Sequence, residues 1–88
     1  MKYHVIYSKR AEKWFLYADK TVAKIIFAWI GKNLVNTDNP RAHGKALVGE
    51  LSGFWRYRVG DYRIICKISN QELEIQVIEV GHRSKVYK

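Results

Sequence analysis

Trp55-Arg-Tyr-Arg-Val-Gly-Asp-Tyr-Arg-Ile64 decides how the chain is read. Two alternating runs flank a Gly60-Asp61 pair, and glycine reaches positive φ without a Cβ clash, so the pair suits a two-residue hairpin loop. That loop sets Val59 opposite Tyr62, which brings Tyr57 to Ile64 and Trp55 to Cys66. Val59, Tyr62 and Ile68 complete one apolar face, and strands are expected over residues 54–59 and 62–68. A turn around Asn70-Gln71 then leads to a strand over residues 73–80. It is expected to set Leu73, Ile75 and Val77 opposite Ile68, Cys66 and Ile64, extending the same face.

The same register places Arg56, Arg58, Arg63 and Lys67 on the other side, with Arg58 directly across from Arg63. Like charges in cross-strand pairs are destabilising, whereas opposite charges contribute about 0.2–1 kcal/mol per pair. Lys67 is expected to face Glu74, which leaves Arg56, Arg58 and Arg63 uncompensated. A solvated face is one reading of these arginines. The other is an anion site, because guanidiniums on rigid paired strands can hold phosphate oxygens in bidentate geometry. Beyond the strands, Val80-Gly-His-Arg-Ser-Lys-Val-Tyr87 brings a histidine, an arginine and an aromatic ring near the mouth of that face. These can transfer protons, stabilise a phosphorane and stack on a base, respectively.

Working outward, residues 3–7 alternate as a strand, and Ser8 is a helix N-cap. Ala11, Trp14, Phe15 and Ala18 share one helical face. Asp19 or Thr21 caps a second helix, whose stripe is Val22, Ile25, Ile26, Trp29 and Ile30. Residues 36–44 collect turn formers and act as a connector. The expected fold is α+β in a single domain over residues 1–88. An N-terminal strand and a two-helix hairpin precede an antiparallel three-stranded β-meander, all forming one sheet packed on helices.

The 88 residues carry 16 Lys/Arg against 8 Asp/Glu, a net charge of +8, which favours a polyanionic partner. Residues 1–44 hold 8 cations and 3 acids and residues 45–88 hold 8 and 5, so folding must assemble any cationic patch. The longest apolar run, residues 25–30, is far below the ~20 needed to span a bilayer, and a cytoplasmic protein is expected. Cys66, the single cysteine, reads as a buried inert thiol and rules out a disulfide within the chain. His4, His43 and His82 are scattered and no carboxylate cluster appears, so neither a metal nor another cofactor is expected.

Lys45-Ala-Leu-Val-Gly49, the Trp55–Ile64 stretch and the Val80–Tyr87 stretch together resemble the signature of RelE-like toxins, a branch of the RelE/ParE superfamily of bacterial type II toxin-antitoxin systems. The likeness covers about half the chain. It implies the RelE-like fold and a ribosome-dependent endoribonuclease that cuts messenger RNA codons in the A site of the 70S ribosome without a metal. A cognate RelB-like antitoxin would silence it. By the resemblance, Arg56 and Arg58 bind the backbone and assist the attacking hydroxyl, and Lys45 and Lys85 join them in binding RNA. Arg63 steadies the scissile phosphate, Arg83 serves the leaving-group side, and Tyr87 stacks on the substrate base. The family commonly places lysines at the first two positions. An arginine, always charged at neutral pH, is a poor general base, so His82 becomes the candidate for proton transfer.

Two other readings share these features. The ParE-like branch has much of the Gly-Asp-Tyr-Arg and Gly-His-Arg motifs but poisons DNA gyrase by binding; the Arg-x-Arg strand and Tyr87 favour the nuclease. A non-catalytic module that docks on RNA or the ribosome would need only the basic face.

Overall fold

The computed structural model describes residues 1–85. In chain order the elements are β1 (His4–Tyr7), α1 (Lys9–Tyr17), α2 (Lys20–Asn33), β2 (Lys45–Ala46), β3 (Trp55–Val59), β4 (Tyr62–Ser69) and β5 (Glu74–His82). Single 3-10 turns lie at Pro40–Ala42 and Gly49–Leu51. The strands form one mixed sheet in the order β1-β5-β4-β3-β2, with β1 parallel to β5 and every other pair antiparallel.

Both helices begin where the short polar residues dictate. Ser8 Oγ accepts from the Ala11 N–H and donates to the Ile78 carbonyl, so one hydroxyl caps α1 and ties it to β5. Asp19 accepts from the N–H groups of Thr21 and Val22 at the start of α2. From α2, Ile26 and Ile30, followed by Leu34, pack on Tyr57, Ile64, Cys66, Ile75 and Val77 of the sheet, and all eight are essentially inaccessible. The buried stripe of α2 is therefore Val22, Ile26, Trp29, Ile30 and on to Leu34. Ile25, expected within it, is 56% exposed because the helix turns that edge away from the sheet.

The β3–β4 hairpin has the register that its loop demands: Val59 pairs with Tyr62, Tyr57 with Ile64 and Trp55 with Cys66, with Gly60 at φ +59°. The β4–β5 pairing departs from expectation. Its turn spans all of residues 70–73 and ends in Leu73 at φ +51°, so Ser69 pairs with Glu74, Ile68 with Ile75 and Lys67 with Gln76. Lys67 consequently does not face Glu74, whose carboxylate meets His4 Nε2 at 3.1 Å. A bulge follows, because Cys66 pairs with Val77 while Ile65 pairs with Glu79, and Ile78 is the extra residue.

Strand β2 was not legible in the sequence: two residues on a sheet edge leave no alternation to read. The connector is pinned to β3 instead by two side chains. The Tyr57 hydroxyl donates to the Pro40 carbonyl at 2.6 Å, and Trp55 Nε1 donates to the His43 carbonyl at 2.7 Å. Gly44 lies directly on β3, where a Cβ would come within 2.2 Å of the Arg56 carbonyl oxygen, so only glycine fits.

Ile30→Ala should lower unfolding free energy by about 2–5 kcal/mol in urea titrations, whereas Ile25→Ala should change it by less than about 0.5 kcal/mol. Burial pushes both the Tyr57 phenol and the Cys66 thiol up from their ordinary values. Their folded-state protons are thus held more tightly than in the unfolded chain, so stability present at neutral pH is lost as pH rises. Unfolding midpoints should fall above about pH 9, where ordinary thiols and then phenols ionise. The double variant Tyr57→Phe/Cys66→Ala should flatten that alkaline slope.

Candidate active site

Cross-strand pairing stacks cations on the sheet face away from the helices. Lys45 of β2 pairs with Arg56 of β3, and one step along the same face Arg58 of β3 pairs with Arg63 of β4. Two adjacent like-charge pairs result, on strands whose opposite face is the hydrophobic core. Ile65, next to Arg56 on that face, is only 5% exposed, so arginine stems cover apolar surface there.

Among the described residues, none of Arg56, Arg58, Arg63 and Arg83 is ion-paired; the recorded pairs are Met1–Asp38, His4–Glu74 and Arg10–Glu79. Arg56 Nε and Arg63 Nη1 are buried and lack any hydrogen-bond partner. Buried charged donors without acceptors are costly unless something supplies them. An anion with several oxygens is the species that fits, and Gly81, paired with Arg63, leaves the space beside it free of a side chain.

The bulge at Ile78 redistributes the C-terminal motif. Without it His82 would lie on the arginine face; with one residue added, the alternation inverts and His82 pairs with Tyr62 on the helix side. Its ring stands edge-on to Tyr62 at 5.5 Å and its Nδ1 lies 2.9 Å from Ser84 Oγ. The expectation that His82 joins the arginines at their mouth is thus not met. Lys85 goes the same way, lining a pocket with Trp14, Tyr62 and His82. Arg83 continues past the strand end and donates its backbone N–H to the Asp61 carbonyl at 2.8 Å, which holds it beside the hairpin loop next to Arg63 and Gly81. Tyr87 lies outside the described residues.

Two features were missed in the sequence. At the β2 edge, an open pocket of about 310 Å³ is lined by Trp29, His43, Gly44, Lys45, Arg56 and Arg58. His43 sits in a turn-rich connector whose spacing carries no signal, and only the folding of that connector onto β3 brings it to the arginines. On the helix side, an apolar groove of about 640 Å³ runs between α1 and α2 along Tyr7, Phe15, Leu16, Ala23, Phe27 and Ala28, rimmed by Glu12 and Lys24. Leu16 is 74% exposed there and Phe27 59%. Among the described residues no cluster of three or more His, Cys, Asp or Glu could hold a metal, and no helix is long and apolar enough to cross a membrane.

Residues 5–87 match the family described as the ParE toxin of the type II toxin-antitoxin system, parDE. Toxin RelE of Mycobacterium tuberculosis is 28% identical over 86 residues, covering 98% of this chain and 87% of that protein. The toxin-antitoxin complex RelBE2 of M. tuberculosis contains a chain that superposes with a TM-score of 0.84 at 23% identity, over 94% of this chain and 100% of that one. The isolated E. coli RelE toxin gives a TM-score of 0.72 at 24% identity, over 97% and 90%. At these identities the solved structures establish a shared RelE-like fold.

If the arginine face is an anion site, inorganic phosphate should raise the melting temperature of the wild type by binding only the folded form. Arg58→Gln should abolish most of that gain while itself leaving stability unchanged or raising it by about 0.2–1 kcal/mol, because it relieves the pairing with Arg63. Calorimetric scans with and without phosphate measure both effects.

Proposed function

This chain belongs to the RelE/ParE toxin superfamily of type II toxin-antitoxin systems, and on that footing we propose that it is a metal-independent endoribonuclease that cuts messenger RNA at A-site codons of the 70S ribosome. The observation that carries the reading is the pair of buried, unpartnered guanidinium nitrogens, Arg56 Nε and Arg63 Nη1, within a cation cluster built on paired strands. A cluster that merely solubilised the surface would leave those nitrogens in water.

In this reading Arg63 holds the non-bridging oxygens of the scissile phosphate, and Lys45, Arg56 and Arg58 track the neighbouring backbone. Arg83, beside the hairpin loop, offsets charge on the departing 5′-oxygen. Strand pairing sets the backbone that carries Lys45, Arg56, Arg58 and Arg63 before substrate arrives, and electrostatic stabilisation from a preorganised frame contributes most to lowering a barrier. The attacking group is the RNA 2′-hydroxyl, and the products are a 2′,3′-cyclic phosphate and a 5′-hydroxyl end. Tyr87 stacks on the substrate base. His82, on the helix side with Tyr62 and Ser84, holds the turn that presents Arg83.

The partner that silences the toxin is an antitoxin, as in the RelBE complexes whose folds this chain shares. An acidic segment of such a partner would meet the arginine face, and a separate apolar stretch would fit the groove of Phe15, Leu16 and Phe27 on the other side of the sheet.

Cleavage of a defined messenger RNA on programmed 70S ribosomes, with 5′ ends mapped by primer extension, tests the reading. Wild type should cut at A-site codons and leave a strand with 2′-deoxyribose at the cut site intact. Arg63→Ala should slow cleavage by about 10²–10³, and Tyr87→Ala by about ten- to a hundredfold through lost stacking. Intact RNA under conditions where the toxin arrests growth would instead point to poisoning of a protein target such as gyrase.

A further inference from the structure

We propose that His43 takes the proton from the attacking 2′-hydroxyl, and that the pocket at the β2 edge seats the nucleotide carrying that hydroxyl; the assignment rests on the nuclease reading above. The chemistry leaves a vacancy that the arginines cannot fill. A guanidinium is a cation with donors only and so accepts no proton at neutral pH, while a neutral imidazole can. Of the three histidines in the sequence, His4 is engaged with Glu74 at the opposite edge of the sheet, and His82 faces the helices with its Nδ1 against Ser84. His43 alone shares a pocket with Lys45, Arg56 and Arg58.

The pocket is built rather than incidental. Trp55 Nε1 holds the His43 carbonyl at 2.7 Å, and Gly44 lies flat on β3 at a distance that excludes any side chain, so the backbone that bears the imidazole is fixed. Trp29 stands 5.8 Å from the His43 ring, at 70° to it, and 5.5 Å from Tyr57, which makes a firm aromatic wall. Among the described residues no hydrogen bond engages the His43 ring, while Arg56, on the same pocket, has a buried Nε without a partner. At about 310 Å³ the space lies at the small end of ligand pockets, which run about 300–1,000 Å³. A ribose with its base against Trp29 and its phosphate toward Arg56 and Arg58 matches it in size, aromatic lining and charge.

With a nucleotide seated so, the 2′-oxygen bonds to phosphorus as its proton passes to His43. The bond from phosphorus to the 5′-oxygen breaks, and that oxygen leaves with the electron pair and takes a proton from water. The imidazolium then returns its proton to solvent.

Single-turnover cleavage on programmed 70S ribosomes is measured for wild type, His43→Gln, His43→Ala and Arg63→Ala, together with melting temperature and half-saturating ribosome concentration. Both His43 variants should cut about 10²–10³ more slowly with melting and half-saturation unchanged, and added imidazole should restore part of the rate to His43→Ala but none to Arg63→Ala. Three results would overturn the assignment: His43 variants within about threefold of wild type, losses expressed only as weaker ribosome binding or lower melting temperature, or no recovery with imidazole. If His43 variants keep their rate while Arg63→Ala loses it, His43 is wrong and the nuclease reading stands. If wild type leaves the RNA intact, the nuclease reading falls first.

Discussion

The two residues between β3 and β4 constrain everything else. Because Gly60 takes a positive φ and Asp61 completes the loop, Val59 has to meet Tyr62, and each later pair follows at a fixed step. One face of the hairpin then receives Tyr57, Ile64 and Cys66, all fully buried beneath α2, and the other receives Arg56, Arg58 and Arg63. Core and charged site are two sides of one register. The repulsion between Arg58 and Arg63 cannot relax by slippage, since a one-residue slip would turn the apolar set out to water.

That coupling explains which parts of the molecule could be read in advance. The helix caps at Ser8 and Asp19, both helices and the β3–β4 register are local: each depends on residues close in sequence with strong geometric preferences. The arginine face followed from the register alone. The β4–β5 pairing did not, because residues 70–73 contain no glycine to mark the turn's length and Leu73 adopts its positive φ in tertiary context. Nothing in the alternation of residues 74–82 announces the bulge at Ile78, and that bulge moved His82 and Lys85 off the arginine side. His43 was invisible for a different reason: its place depends on Tyr57 and Trp55 reaching back to bind Pro40 and His43 carbonyls across 17 and 12 residues.

The site and the scaffold are stabilised in opposite senses. Ile26, Ile30, Ile64, Ile75 and Val77 gain from burial, whereas the face behind them holds adjacent like-charge pairs and unmatched donors. Such a face is a poor arrangement for an empty protein and a favourable one for a protein holding a polyanion. Its rigidity derives from the sheet, so little ordering remains to be done when an anion arrives.

Strand β1 begins at His4, yet its partner β5 begins at Glu74, and the parallel ladder between them joins residues 70 apart. During synthesis β1 must wait, unpaired, until β5 has been made, 70 residues later. Contacts of such long range slow folding, and they also order it in time: β5 follows the other strands in chain order among the described residues, yet it occupies an interior place in the sheet, between β1 and β4. A truncated or stalled nascent chain therefore lacks the strand that joins its two halves. The two parts of the sheet, β1 on one side and β4-β3-β2 on the other, are joined only once β5 lies between them.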